Sequence, residues 1–209
     1  MIDTKHKILD TAERLIGEHG YASTSLRQII AEAEVNLAAI HYHFGSKEEL
    51  LDELIVRKVG PVNVTRLMLL DRLEADAGRV PPTVRSVLDA FFVPMAEMGS
   101  HEPLFVRMMG RVLAEGLMNH IAERHFQEVS RRFLDVLRKA LPWLSEDEVL
   151  WRTHFMIGAM AHTMSGQPDN TGKGGVPVSL RTRIEHLIAF LAGGFEAPAS
   201  TPSQREETR

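Results

Sequence analysis

The stretch Tyr21-Ala22-Ser23-Thr24-Ser25-Leu26-Arg27-Gln28-Ile29-Ile30-Ala31-Glu32-Ala33-Glu34-Val35-Asn36-Leu37-Ala38-Ala39-Ile40-His41-Tyr42-His43-Phe44-Gly45-Ser46-Lys47 decides the fold. Ser25 followed three residues later by Gln28 is a capping box, and Leu26, Ile29, Ile30 and Ala33 form the apolar stripe of a short helix. Asn36 is a good N-cap for a second short helix running from Leu37 to Phe44, which Gly45 stops, and Ser46 caps the helix after it. Two short helices joined by a tight turn are the helix-turn-helix pattern.

Upstream, Ile8, Leu9, Ala12, Leu15 and Ile16 recur at helical spacing from Thr4 to His19, and Gly20 stops that helix. Within the second short helix Ile40 and Phe44 lie four apart and face inward. Asn36, Ala38, Ala39, His41, Tyr42 and His43 are left wholly or partly outside. Small residues at its start let such a helix sit deep in a major groove, where Asn36 can reach base edges and Tyr42 and His43 can donate to phosphates. Lys47 adds a cation in the first turn of the next helix, beside backbone N–H groups that attract phosphate. His41 and His43 point about 200° apart on a helix, so they do not form a metal site.

Tyr21 to Leu51, with Thr24-Ser25-Leu26-Arg27-Gln28-Ile29, the Tyr42-His43-Phe44 triplet and Ser46-Lys47-Glu48-Glu49-Leu50, resembles the DNA-binding domain of the TetR family of transcriptional regulators. Residues 4–58 can be laid on that pattern. The resemblance implies phosphate contacts from Thr24, Ser25, Tyr42, His43 and Lys47, with base-facing positions around Arg27, Asn36, Ala38 and Ala39. Together with Leu37 and His41 these make the candidate DNA-facing set. Two residues depart from the pattern. Glu34 stands where the family usually has glycine in a left-handed turn, at a cost of roughly 1 kcal/mol, and Ile30 replaces a usual alanine.

The implied fold is all-α, a three-helix head over residues 1–46 and a helical effector-binding and dimerisation body over 47–197, with a disordered polar tail at 198–209. At 209 residues and 44% hydrophobic the chain can bury a core for such a pair. The net charge of -4 disfavours a protein that coats nucleic acid, and residues 1–50 hold five basic side chains against eight acidic ones. DNA binding must therefore use a few well-placed donors. Zero cysteines exclude disulfides and thiolate metal sites. The longest apolar run, Leu187 to Phe195, is too short to span a bilayer, and no leader pattern opens the chain, so a cytoplasmic protein is expected.

In the body, a helix starting at Lys47 should kink or break at Gly60-Pro61. Further helices are expected from Thr83 to Met98, after Pro103, from Asn119 to Leu141, from Ser145 to Ser165, and from Leu180 to Phe195, with a flexible loop over Gly166 to Pro177. Eight of the ten methionines fall between residues 95 and 164, among several phenylalanines. Such flexible, polarizable side chains suit a pocket for apolar ligands, and they suit an ordinary core as well. The candidate effector-binding set is Phe91, Phe92, Met95, Phe105, Arg107, Met108, Arg111, Val112, Phe133 and Phe155, the two arginines being carboxylate or phosphate partners at a rim.

Val35 through Ile40, Tyr42 through Lys47, Trp151 through Ala159, and Met164-Ser165-Gly166 are similar to the fatty-acid-responsive PsrA branch of the TetR family, while residues 60–145 match it loosely. The similarity implies a repressor whose effector is a long-chain fatty acid or acyl-CoA; a drug or aromatic compound is the alternative effector class. A homodimer is expected through Ile157, Gly158 and Ala161 on one helix and Ile184, Leu187, Ile188, Leu191 and Phe195 on the next, although an intramolecular core competes for the same residues. No cofactor is expected. An enzyme is disfavoured because the chain has no GxGxxG or Walker loop and no justifiable Ser-His-Asp order. An architectural DNA-binding protein is disfavoured by the acidic balance and the large apolar body.

Overall fold

The computed structural model describes residues 4–78, 81–117, 124–165 and 178–199, and these are all helix, turn and loop, with no strand among them. The head contains α1 (Thr4–His19), α2 (Leu26–Glu32) and α3 (Leu37–His43). The body contains α4 (Lys47–Asp76), α5 (Val84–His101), α6 (Pro103–Ala114), α7 (Gln127–Ala140), α8 (Glu146–Met164) and α9 (Leu180–Glu196). No helix among the described residues is long and apolar enough to cross a membrane.

Local chemistry sets the head's boundaries. Ser25 and Gln28 form the reciprocal capping box of α2, and Ser46 and Glu49 repeat it for α4. α1 ends on Gly20 at φ +89°, a left-handed position that suits glycine. After α2 the Val35 N–H reaches the Ile30 carbonyl and the Glu34 N–H reaches that of Ala31, both at 3.2 Å, a Schellman closure. That closure forces Glu34 to φ +50°.

α1 packs on α4 and on α6, so one hydrophobic cluster runs without a break from Ile8 and Leu9 in the head to Leu191 and Phe195 at the end of the body. α4 lies along both. The break expected at Gly60-Pro61 does not occur, because α4 continues as one helix of 30 residues through Pro61. An interior proline costs about 3 kcal/mol. Leu54, Ile55 and Val59 before it, and Val62 and Leu70 after it, are all buried, at roughly 1.5–3 kcal/mol each, which outweighs that loss.

The helix expected from Asn119 to Leu141 is interrupted by a turn at Phe126: Arg124 and His125 are helical before it and α7 resumes at Gln127, while residues 118–123 lie outside the described ones. The Gly166 to Pro177 loop and positions 200–209 of the tail likewise lie outside them. α6 and α8 approach closely at Gly110, where a Cβ would fall 2.3 Å from the Ser165 backbone nitrogen. α9 packs along α5 and α8.

Candidate nucleic-acid interface and apolar cavity

α3 is held by Ile40, which is fully buried, and by Phe44 just beyond its end. Its opposite face presents Leu37, Ala38, His41 and Tyr42, the last 86% exposed. The Ala39 side chain lies outside the described set. α3 carries no carboxylate, so this face can approach a polyanion without like-charge repulsion. Tyr42 and His43 pack edge to face with centroids 5.0 Å apart, and His41 Nδ1 lies 3.2 Å from the Gly45 carbonyl oxygen. Asn36 and Arg27 are exposed on the same turn-bounded unit.

Other members of the DNA-facing set are placed differently from expectation. Thr24 is buried, and its hydroxyl is taken up by the carbonyls of Gly20 at 2.8 Å and Leu15 at 3.2 Å, so it fastens α1 to the turn and offers no outward donor. Ser25 is spent on its cap, donating to Gln28 Oε1 and accepting from the Gln28 N–H. Lys47 is half-buried. Its ammonium donates to the Tyr21 carbonyl and sits 3.8 Å from the Tyr21 ring centroid, and burial lowers its pKa. Tyr21 in turn donates to Glu48, and its own pKa is pushed up to about 12, by burial first and then by Glu48. Three further cations of the head are committed to carboxylates, Lys5 to Glu53, Lys7 to Glu34, and Arg14 to Glu18 and Glu32.

The body holds an open-sided cavity of about 350 Å³ between α4, α5, α6 and α8, with Phe126 and Ser130 also on its wall. Phe91, Met95 and Phe105 line it as expected positions, joined by Val62, Met98, Met109, Leu113, Met160 and Met164. Phe92, Met108, Val112 and Phe133 are packed in the core beside it. Arg107 and Arg111 line an outer groove with Glu115 and His162, which adjoins the cavity and shares Leu113, His154 and Ile157 with it. Phe155 is not at the cavity. Met156, Met160 and Met164 form the inward stripe of α8, and Phe155, one residue from Met156, is turned about 100° away and 65% exposed.

The residue that the expectations omitted is Arg66. It is 4% exposed, lines the cavity, and donates from Nε to the Phe91 carbonyl at 2.8 Å and from a terminal nitrogen to Asn63 Oδ1 at 3.1 Å. Its guanidinium lies 4.1 Å from the Phe91 ring centroid. Burial pulls its pKa to about 10, which leaves it cationic at neutral pH. The signal was present in the spacing of Val59, Val62, Arg66 and Leu70, which puts an arginine on the apolar stripe of α4.

Comparison with known families settles the relationship. Residues 8–54 match the model for bacterial regulatory proteins of the tetR family, and residues 85–194 match that for the tetracyclin repressor-like C-terminal domain. The chain belongs to the TetR family. Among curated relatives, the probable HTH-type transcriptional regulator YttP of Bacillus subtilis (strain 168) is 39% identical over 54 residues, 26% of each chain. The nicotine-responsive transcriptional repressor HdnoR of Paenarthrobacter nicotinovorans is 42% identical over 50 residues, 24% of this chain and 26% of that one. The chain thus spans about a quarter of the length of these relatives. Of solved structures, AmtR from Mycobacterium smegmatis superposes with a TM-score of 0.58 at 20% identity, covering 90% of this chain and 86% of that one. PfmR from Thermus thermophilus, a TetR family regulator, gives 0.52 at 20% identity over 91% and 99%. At these identities the likeness is one of fold.

Within the TetR fold the expected dimer stripe needs correction. Ile184, Leu187, Ile188, Leu191 and Phe195 of α9 are all buried in the monomer, against α5 and α8, and Ala161 is buried with them. An amphipathic stripe was read correctly as buried, but its partner is this chain's own α5. The apolar surface left on the last two helices lies on their other side, where Trp151 is 61% exposed, Phe155 65% and Phe190 72%. Gly158, Gly193 and Gly194 lie on this side with open space at their Cβ positions.

Proposed function

We propose that this chain is a ligand-responsive transcriptional regulator, a repressor that binds a palindromic operator as a homodimer and leaves it when an apolar effector, a fatty acid or acyl-CoA, fills the cavity. Residues 1–46 act as the DNA-binding head and 47–197 as the sensing and dimerisation body. The observation that carries the reading is that α6 touches both sites. Phe105, Met109 and Leu113 of α6 line the cavity, and Glu115, at its C-terminal cap, accepts hydrogen bonds from the Tyr21 and Ala22 N–H groups of the head. α4 supports the same coupling, because it begins beside Tyr21 and carries Val62 and Arg66 to the cavity.

In this reading α3 enters the major groove, with Asn36, Leu37 and Ala38 toward bases and His41, Tyr42 and His43 toward the backbone. A head this small reads few bases, so specificity comes from two copies joined through Trp151, Phe155, Gly158 and Phe190. An effector that shifts the dimer from 1:99 to 99:1 must prefer the DNA-incompetent arrangement by about 10⁴-fold.

The test is a fluorescence anisotropy titration of operator and random duplexes with point variants. Truncating Tyr42 should weaken both duplexes alike, and Asn36→Ala should chiefly erode the preference for operator, by roughly 1–3 kcal/mol. A Tyr42→Ala protein that binds both duplexes with wild-type affinity would remove α3 from the interface.

A further inference from the structure

Arg66 is a fixed cation facing an apolar cavity. Phe91 and Asn63 supply its described acceptors, both neutral, and Asn63 is itself anchored by donating to the His125 carbonyl at 3.1 Å. Among the described residues no carboxylate pairs with it. A buried charge is costly unless paired, and the two neutral acceptors satisfy only part of a five-donor fork. The second terminal nitrogen has no acceptor among the described residues. The remaining walls, Val62, Met95, Phe105 and Met109 among them, are apolar apart from Ser130 and His154, and include no carboxylate. The complementary ligand therefore has one anionic end and an apolar remainder.

Resting on the reading of this cavity as the effector site, we propose that the effector is a free monocarboxylic acid of medium length, its carboxylate received by the Arg66 guanidinium and its apolar body lying along Phe91, Met95, Phe105 and Met109. A planar guanidinium matches a carboxylate geometrically as well as electrically. A CoA thioester fits less well, because its acyl carbonyl is neutral and leaves the cation unpaired. At about 30 Å³ for a water-sized group, the 350 Å³ cavity holds roughly a dozen non-hydrogen atoms. Decanoate is of that size, and palmitate is larger.

The experiment is calorimetric titration of the full chain with octanoate, decanoate, palmitate, 1-decanol and decanoyl-CoA. Decanoate should bind the wild type at least roughly tenfold more tightly than 1-decanol, as expected for a charge-assisted contact, and more tightly than palmitate or decanoyl-CoA. Arg66→Met, checked for native helicity by circular dichroism, should lose the preference for acid over alcohol while still binding 1-decanol, and Arg66→Lys should retain part of it. Equal wild-type affinity for decanoate and 1-decanol, or an unchanged preference in Arg66→Met, would overturn the carboxylate assignment while leaving an apolar effector site in place. Tightest binding by decanoyl-CoA would overturn it in favour of the thioester. Binding of none of the series would overturn both the assignment and the effector reading of the cavity.

Discussion

The carboxylate of Glu115 accepts the backbone N–H of Tyr21 at 3.1 Å, and its second oxygen accepts that of Ala22 at 3.0 Å. This fork joins the end of α6 to the loop before α2. Gly20 makes room for it, because a Cβ there would lie 2.6 Å from Glu115 Oε1. Hydrogen bonds to a charged group contribute about 1.5–3 kcal/mol each when well formed, and solvent exposure moves these toward the low end. Glu115→Ala should lower stability by about 1–3 kcal/mol in urea unfolding, and decanoate should then change operator affinity less than it does in the wild type. Full retention of ligand response would place the coupling elsewhere, with α4 the next element to examine.

The two sides of α9 give opposite predictions. Phe190→Glu combined with Trp151→Glu should yield a folded monomer on sedimentation, since both side chains are exposed in the isolated chain. Leu187→Glu should instead unfold the body, because Leu187 is buried against the core and replacing a buried leucine with a far smaller residue already costs about 2–5 kcal/mol. A dimer that survives the double change would move the interface off this face.

Glu34 holds a left-handed conformation that costs a residue with a Cβ roughly 1–2 kcal/mol, against about 0.5–1 kcal/mol of extra chain entropy that glycine loses on folding. Its exposed pair with Lys7, at 3.2 Å, adds little. Glu34→Gly is expected to raise the unfolding free energy by about 0.5–1 kcal/mol. A loss of stability in chemical denaturation would show that the Schellman turn gains more from the glutamate than its backbone strain costs.

Glu74 of α4 accepts hydrogen bonds from Lys139, at 2.7 Å, and from Arg132, both on α7. The Lys139 contact first, then that of Arg132, holds its carboxyl below the usual carboxylate range, despite partial burial. A depressed folded pKa gives stability that is present above the unfolded pKa and is lost as pH falls through the folded one. Glu74→Gln should therefore be less stable than the wild type at pH 7, by less than about 1 kcal/mol for so exposed a cluster. The gap should close below the ordinary carboxylate range. An undiminished gap at acid pH, followed by urea midpoints, would contradict the charge-based origin.

The head was legible because its boundaries are written in short-range chemistry. Ser25 with Gln28, the glycine stops at 20 and 45, and the Ile40 and Phe44 spacing each specify a local geometry that tertiary context does not reverse. The body was legible as helices and illegible as contacts. The α9 stripe from Ile184 to Phe195 reports that one face is buried and carries no information on whether α5 or a second chain covers it. Arg66 was missed because the break expected at Pro61 restarts the helical phase; with α4 continuous, Val59, Val62, Arg66 and Leu70 fall on one face. The positions of Thr24 and Lys47 were not legible either, since which donors are consumed internally depends on the Leu15 and Tyr21 carbonyls that folding brings to them.

The most direct test of the account as a whole is selection of duplexes from a random pool by the full-length protein, followed by footprinting on the enriched sequence. A dimer reading DNA through α3 predicts a palindromic site protected at two half-sites about 34–36 Å apart, or a multiple of that, on one face of the helix, with protection lost on adding decanoate. A pool that shows no enrichment over its starting composition would contradict the account at its centre.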